Sequence, residues 1–241
     1  MIQKKVVVLL HGFGEDSTVW LGIVPYLQKS LLVFTPDYAK ETTLKTMDDY
    51  ADFVAQHLQK AGVSQCTVIG HSMGGYIALA FAEKYPDMIT GLGLFHSTAY
   101  GDSEERKALR LKNVDFLRTH GTEVFIKNFT PNLYSEEFNA QNPEVVQKHI
   151  DYSSQLPVDA LMVAMDAMRI RPDRREVLAN AKYPVMMIIG KKDKSIPVAD
   201  ALEQLALAGN TSSLVLDTVG HMGMYEEPEE CVRFIKKFLL R

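Results

Sequence analysis

Unbroken runs of valine, isoleucine and leucine constrain the fold of this chain more than any other feature. Runs without alternating polar residues are typical of strands buried on both faces of a parallel sheet. They occupy residues 5–10, 31–35, 66–70, 90–95, 185–190 and 213–217. Helical patterns separate most of them, and the pattern over 46–61 is followed by Gly62, a helix-ending residue. The alternation predicts an α/β fold: a doubly wound, mostly parallel six-stranded sheet flanked by helices.

One interval is too long for a single crossover helix, because about ninety residues separate the fourth apolar run from the fifth. It contains helical patterns at 104–120, 122–128, 142–154 and 158–168, interrupted by Gly121, Pro131 and Pro157. We therefore expect a helical cap, or lid, inserted at residues 98–171. Residues 1–97 and 172–241 would form the core domain, which is predicted to end in an amphipathic helix over 227–241.

Charge and hydropathy argue against two classes of partner. The chain carries a net charge of −4 and no long basic stretch, so nucleic acid is not expected to bind. The basic residues at the start precede only a short apolar run, which indicates a strand and not a signal peptide. No apolar stretch approaches the ~20 residues that span a bilayer, so no membrane partner is expected.

Cysteine usage and ligand spacing bound the remaining chemistry. The two cysteines, Cys66 and Cys231, form no CxxC pattern and are expected to be buried thiols, which suits a cytoplasmic protein. The histidines and carboxylates match no metal-ligand spacing, and no GxGxxG follows the first apolar run. We therefore expect no metal and no cofactor, and a small molecule as substrate.

The segment GHSMG, residues 70–74, matches the pattern GxSxG between an apolar run and a helical pattern. In this context the serine lies on a sharp, strained turn, and small residues are needed at Gly70 and Gly74, where strand and helix crowd together. The start of the helix offers free backbone N–H groups that can bind an oxyanion. Ser72 is therefore the candidate nucleophile.

A serine hydroxyl needs a base to accept its proton and a third group to orient that base. Asp193 lies in the loop KKDKSIP after the fifth apolar run, and His221 follows the sixth. Both positions are at the carboxyl ends of predicted strands, where α/β sheets place functional groups. The pattern predicts a triad of Ser72, His221 and Asp193; Asp37 and Asp217 are interpreted as structural carboxylates.

Four ordered motifs resemble the α/β-hydrolase superfamily, in particular its lid-bearing serine esterase and lactonase-like branch. They are HGFG at 11–14, GHSMGG at 70–75, GKKDKSIP at 190–197 and GHMGMYEEPEE at 220–230. The resemblance implies an oxyanion hole formed by the backbone N–H groups of Phe13 and Met73. Family members usually begin with an extra strand pair, which is missing here. The strand over 31–35 would then be a sheet edge, open to pairing in a homodimer.

Substrate contacts are harder to predict. His96, at the end of the fourth run, either contacts substrate or supports the acid loop. Met162, Met165 and Met168 of the last helical pattern, and Met222 beside the candidate base, either fill the core or line an apolar acyl pocket. The basic cluster over 169–175 either grips a substrate carboxylate or forms a solvated hinge, and we favour the hinge.

The other histidines are given structural or surface roles. His11 and His71 occupy fixed loop positions in the motifs, and by the resemblance they are expected to form structural hydrogen bonds. Helical patterns contain His57, His120 and His149, which are expected to be solvated. The sequence therefore leaves His221 as the candidate base.

The favoured function is hydrolysis of a small, largely apolar ester, thioester or lactone through an acyl-enzyme. Two alternatives stay open. The same triad supports carbon–carbon bond hydrolysis or lyase chemistry in related families, and a hydrolase fold also serves as a ligand-binding receptor with little turnover.

Overall fold

The computed structural model describes residues 5–240, in which six parallel strands form one sheet in the order β2-β1-β3-β4-β5-β6. This sheet confirms the prediction of an α/β fold with six parallel strands. The strands are β1 Val6–Leu10, β2 Leu32–Phe34, β3 Cys66–His71, β4 Ile89–Phe95, β5 Val185–Gly190 and β6 Thr211–Leu216. The predicted bounds differ from these by at most two residues.

Strand β1 lies between β2 and β3, so the chain first adds a strand on one side of β1 and then continues on the other. Right-handed crossovers from such a starting strand place helices on both faces of the sheet. Ligand sites of α/β sheets lie at this reversal, outside the carboxyl ends of the strands. The loops after β1 and β3 are therefore the expected centre of the site.

Helices occupy most of the remaining chain. They are α1 Val24–Leu27, α2 Met47–Lys60, α3 Met73–Lys84, α4 Glu104–Phe129, α5 Glu136–Gln141, α6 Pro143–Ser153, α7 Val158–Arg169, α8 Arg175–Ala179, α9 Val198–Glu203, α10 Gly223–Glu226 and α11 Pro228–Leu239. The helices missed by the sequence patterns, such as α5, α8 and α9, are two turns or shorter, so they carry no clear periodicity. Arg241, the end of the predicted terminal helix, lies outside the described residues, as do residues 1–4.

Helix α3 is central to the core, because its residues from Met73 to Ala82 are all buried. It therefore lacks a polar face, as expected of a helix between the sheet and other helices. Trp20 stacks on Phe95, the last residue of β4, with the ring centroids 5.8 Å apart. Helix α11 buries a single apolar stripe that includes Ile235 and Phe238. The rigid core thus supports the loops at the carboxyl ends of the strands.

The helices α4 to α7 lie between β4 and β5. Gly121 interrupts α4 with φ 78°, where the sequence predicted a break between two helices. The extent of the cap, residues 98–171, stays a prediction.

Two expectations about solvated side chains are wrong. His149 is buried, and its Nδ1 lies 2.9 Å from the Tyr134 hydroxyl, because α6 turns this face inward. In the basic cluster, Arg171 and Arg174 are also buried, since carboxylates reach them from other elements. Arg174 contacts Asp48 and Glu83 at 2.7 and 2.9 Å. Only Arg169 and Arg175 keep the partly exposed character of the predicted hinge.

Candidate active site

The candidate residues follow the carboxyl ends of five neighbouring strands. Phe13 follows β1, Ser72 follows β3, His96 follows β4, Asp193 follows β5 and His221 follows β6. A cavity of about 610 Å³ opens at this edge of the sheet, and Ser72, His221 and Phe13 line it. Three residues far apart in sequence thus share one cavity.

Ser72 occupies a backbone conformation that L-residues rarely adopt, with φ 50° and ψ −115°. The turn is this tight because a side chain at Gly70 would collide with the carbonyl of Gly74. Two hydrogen bonds hold the strained residue: its N–H donates to the Phe95 oxygen at 2.9 Å, and Ser97 Oγ donates to its carbonyl at 2.7 Å. The surrounding structure therefore imposes the strain at Ser72.

His221 and Asp193 form a direct contact. His221 Nδ1 donates to Asp193 Oδ2 at 2.7 Å, and both side chains are almost completely buried. The other carboxylate oxygen accepts the backbone N–H groups of Ser195 and Ile196 at 2.7 and 2.9 Å. Burial would raise the pKa of Asp193, but its interactions with His221 hold that pKa below the usual value. An ionised Asp193 fixes the tautomer of His221 that leaves Nε2 free to accept a proton.

The backbone of His221 is held from two directions. Its N–H donates to the carbonyl of Leu133, in the segment between α4 and α5, at 2.7 Å. Its carbonyl accepts the Nε2–H of His71 at 2.9 Å. The carboxylate of Glu226 also accepts N–H groups of the histidine loop, from Gly220 and Met222. The position of the candidate base therefore depends on both the core and the helices beyond β4.

His71 forms a buried ion pair with Glu15. Its Nδ1 lies 3.0 Å from Glu15 Oε2, while its Nε2 contacts the carbonyl of His221, so both ring nitrogens face acceptors only. Both must carry hydrogen, which makes the ring an imidazolium. Burial opposes both charges, yet the attraction lowers the pKa of Glu15 to about 2 and raises that of His71. Sequence reasoning gave His71 a structural role but missed Glu15, which no motif position marks.

His96 lies behind the triad and does not line the cavity. Its φ is 47°, and its Nδ1 is 3.6 Å from Asp193 Oδ2, too long for a hydrogen bond. Neither ring nitrogen has a hydrogen-bond partner among residues 5–240. Burial lowers the pKa of His96 to about 3, so the ring is neutral. Of its two predicted roles, this position favours support of the acid loop.

The methionine candidates separate into two groups. Met165 lines the cavity, as does Met168. Met162 instead packs, partly buried, against the core, and Met222 is completely buried below the histidine loop. Leu109 and Phe129 of α4 add further apolar surface to the cavity. Helices α4 and α7 therefore supply much of the cavity lining.

The two residues predicted to donate oxyanion N–H groups are Met73 and Phe13. Met73 is the first residue of α3, directly after Ser72. Phe13 lines the cavity, and its ring meets those of Phe125 and Phe129 edge-on at 6.2 and 5.5 Å. These contacts fix the loop after β1 against α4. The role of both N–H groups stays a prediction.

Within residues 5–240, no group of three or more histidine, cysteine, aspartate or glutamate residues is arranged to hold a metal ion. Over the same residues, no helix combines the length and apolar character needed to cross a membrane.

A strained serine that shares a cavity with the histidine of a buried histidine–aspartate pair, at the edge of a parallel sheet, is the arrangement expected of a hydrolase site. The family model described as alpha/beta hydrolase fold matches residues 5–228, so the chain belongs to the alpha/beta hydrolase fold family.

Known proteins that resemble the chain include esterases and another hydrolase. An esterase structure from Thermogutta terrifontis is 28% identical, covers 98% of this chain and 89% of its own, and has a TM-score of 0.93. A strigolactone esterase of Arabidopsis thaliana is 24% identical over 98% of this chain and 93% of that protein. A 2-hydroxy-6-oxononadienedioate/2-hydroxy-6-oxononatrienedioate hydrolase of Burkholderia vietnamiensis is 22% identical over 99% and 88%.

Proposed function

We propose that the protein is a serine hydrolase that cleaves a small carboxylic ester, thioester or lactone through an acyl-enzyme. The observation that carries this proposal is the 2.7 Å contact between His221 and Asp193 beside a cavity that Ser72 also lines. The esterases among its relatives support the same class of substrate.

In the proposed reaction, Ser72 Oγ attacks the carbonyl carbon while His221 Nε2 accepts its proton. Asp193 stabilises the resulting imidazolium without taking the proton itself. The negative charge on the carbonyl oxygen is bound by the N–H groups of Phe13 and Met73, each worth about 3 kcal/mol of transition-state stabilisation. His221 then protonates the oxygen or sulfur of the leaving group, and the acyl group stays on Ser72.

Water completes the cycle. His221 takes a proton from a water molecule, which attacks the acyl carbon and forms a second oxyanion in the same hole. Collapse of this intermediate breaks the bond to Ser72 Oγ, and His221 returns the proton to the serine. The apolar side chains that α4 and α7 contribute to the cavity, Leu109, Phe129, Met165 and Met168, support binding of an acyl chain.

A carbon–carbon bond hydrolase is the second candidate. The Burkholderia vietnamiensis relative, whose name specifies a 2-hydroxy-6-oxononadienedioate, supports it. The same Ser72, His221 and Asp193 would act on a vinylogous diketone. This alternative differs from the first in the bond cleaved, not in the residues used.

The surroundings proposed for the enzyme follow from its surface and its thiols. Cys66 and Cys231 are unpaired and buried, which supports a cytoplasmic location. We expect a small-molecule substrate, with neither nucleic acid nor membrane as partner. Strand β2 is an edge strand whose Leu32 is exposed, so pairing of two copies there stays part of the proposal.

Hydrolysis of 4-nitrophenyl acetate and butyrate by wild type and Ser72→Ala tests the proposal. Wild type is expected to turn over both esters, and Ser72→Ala to lose at least about a thousandfold in kcat because the nucleophile is absent. A fluorophosphonate probe should label wild type at Ser72.

Ser64→Ala is the matched control, since it removes the same hydroxyl from an exposed position before β3. It should retain full turnover and labelling. Equal turnover by wild type and Ser72→Ala would refute the serine mechanism. Labelling without turnover of any ester, thioester or lactone would favour the receptor alternative.

A further inference from the structure

One buried carboxylate, that of Asp102, pairs with three guanidinium groups. Asp102 Oδ2 accepts Arg110 Nε at 2.5 Å, and Oδ1 lies 2.8 Å from Arg171 Nη1. Arg106 Nε is 3.7 Å from the same Oδ1. Arginine stays protonated at any physiological pH. The cluster therefore carries more positive charge than its single carboxylate neutralises.

The three arginines differ in what else they contact. Arg171 is buried, its guanidinium stacks 3.9 Å from the Tyr76 ring, and its terminal nitrogens donate to the carbonyls of Met168 and Tyr100. These contacts explain Arg171 as a structural residue. Arg106 and Arg110 instead line the cavity together with Ser72 and His221. The excess charge thus faces the candidate reaction site.

One N–H₂ group of Arg110 has only weak hydrogen-bond acceptors around it. Its Nη1 faces the sulfur atoms of Met165 and Met168, each at 3.5 Å, and a thioether is a weak acceptor. Arg106 donates to the carbonyl of Ser195 and keeps about a third of its side chain exposed. A carboxylate that enters the cavity would offer both groups stronger acceptors.

Other charged residues around the cavity do not cancel this excess. Glu15 is neutralised by the imidazolium of His71, and Lys194 pairs with Glu136 at 2.9 Å near the surface. Hydrogen bonds from its own backbone N–H and from the Ser103 hydroxyl lower the pKa of Glu105, which lies exposed at the cavity wall, so its negative charge offsets one of the two surplus positive charges and one remains. The protein as a whole has a net charge of −4, so the positive wall is a local feature.

We propose that Arg106 and Arg110 form an anion subsite, and that the enzyme prefers esters whose acyl chain ends in a carboxylate. This proposal rests on the proposed function. Ser72 reacts with the ester carbonyl, while the distal carboxylate contacts the two guanidiniums across the apolar part of the cavity. A half-ester of a short dicarboxylic acid has these two groups at opposite ends.

Two nitrophenyl esters of equal acyl length test the preference: mono-4-nitrophenyl adipate and 4-nitrophenyl hexanoate, which differ only in a terminal carboxylate. The ratio of their kcat/KM values is compared in wild type, Arg106→Gln and Arg106→Lys, with Ser72→Ala as the blank. Because Arg106 also contacts the acid loop through Ser195, its loss can slow both esters. The ratio cancels that shared effect.

Arg106→Gln is expected to lower the ratio by about tenfold, comparable to the loss of one charge-assisted hydrogen bond at a partly exposed site. Arg106→Lys should retain part of the preference, and raised salt should weaken it in wild type. Lys107→Gln is the matched control, because the next residue of α4 loses the same charge but pairs with Glu104 and does not line the cavity.

Calorimetric titration of adipate onto wild type and the same variants measures the subsite without turnover. Wild type should bind adipate about tenfold more tightly than Arg106→Gln, and as tightly as Lys107→Gln. An unchanged ester ratio or unchanged adipate affinity in Arg106→Gln overturns the proposal, as does an equal loss in Lys107→Gln. If neither ester is hydrolysed, the proposed function fails, and the titration alone then decides on the subsite.

Discussion

Substitution of Glu15 by glutamine separates charge from shape in the buried ion pair below Ser72. Glu15 Oε2 accepts both the N–H of Gly12 at 2.8 Å and the Nδ1–H of His71 at 3.0 Å. A glutamine side-chain oxygen can accept the same two hydrogen bonds, so the volume and the acceptor are preserved. Only the negative charge is removed.

The size of the effect follows from the pKa of Glu15. Lowering that pKa from 4.5 to about 2 corresponds to about 3 kcal/mol of preference for the ionised, folded form. The order of magnitude agrees with the ~3–5 kcal/mol lost when one partner of a buried ion pair is removed. Without the carboxylate, burial drives His71 to the neutral form, which has one N–H in place of two. The ring then loses either its hydrogen bond to the introduced amide oxygen or the one to the His221 carbonyl.

The pH dependence gives a second signature. Because the pKa of Glu15 is lowered on folding, its contribution is present above pH 4.5 and disappears as pH falls toward 2. Because the pKa of His71 is raised above 6.5, its contribution is present below pH 6.5 and disappears as pH rises through the folded pKa. The pair therefore stabilises the protein most between about pH 4.5 and 6.5.

Urea unfolding of wild type and Glu15→Gln at pH 6 and pH 9 measures both effects. At pH 6 the variant should lose about 3 kcal/mol of unfolding free energy, and the gap should narrow at pH 9. Ester hydrolysis should fall as well, because His71 positions the backbone of His221. Glu144→Gln, which alters an exposed carboxylate that does not line the cavity, is the control and should behave like wild type. A Glu15→Gln protein as stable as wild type at pH 6 would refute the ion pair.

Three further substitutions test separate parts of the site. Asp193→Asn should lower kcat by about 10⁴-fold with little change in KM, measured by steady-state kinetics, because His221 loses the partner that selects its tautomer. Gly70→Ala should lower the free energy of unfolding by more than about 3 kcal/mol in urea unfolding, because the added methyl group would collide with the Gly74 carbonyl. The control Gly62→Ala, where the methyl group meets open space at φ 72°, should lower it by about 1 kcal/mol. His96→Asn should leave the acid limb of the pH profile of kcat/KM unshifted, because a pKa of about 3 keeps His96 neutral at the pH values of the assay. A shifted limb would show that His96 titrates together with the triad.

The sheet and the triad candidates were predictable because local sequence encodes them. Strands buried on both faces consist of continuous apolar runs, and the six runs became six strands. Ser72 lies within a short motif whose glycines are required by a collision between neighbouring residues. Asp193 and His221 each follow a strand directly, so the parallel sheet alone brings their loops to one edge.

Pairs that form across the fold were not predictable in this way. Glu15 and His71 are 56 residues apart, and neither position shows which partner it will meet. No motif marks Asp102, yet it binds arginines from α4 and from the chain after α7. His149 lies on an ordinary helical pattern, and only the packing of α6 decides that its face is buried. Such contacts depend on how the helices beyond β4 sit on the sheet.

The segment from α4 to α7 contributes both to the cavity lining and to the contacts that hold the candidate base. Leu133, between α4 and α5, accepts the N–H of His221, and Ser135 donates its N–H to Glu226, which also holds the histidine loop. The wall formed by α4 and α7 is therefore positioned by contacts that also position the candidate base. A change that moves this wall relative to Ser72 would move His221 with it. Because of this linkage, replacing the segment from α4 to α7 is expected to change turnover as well as substrate preference.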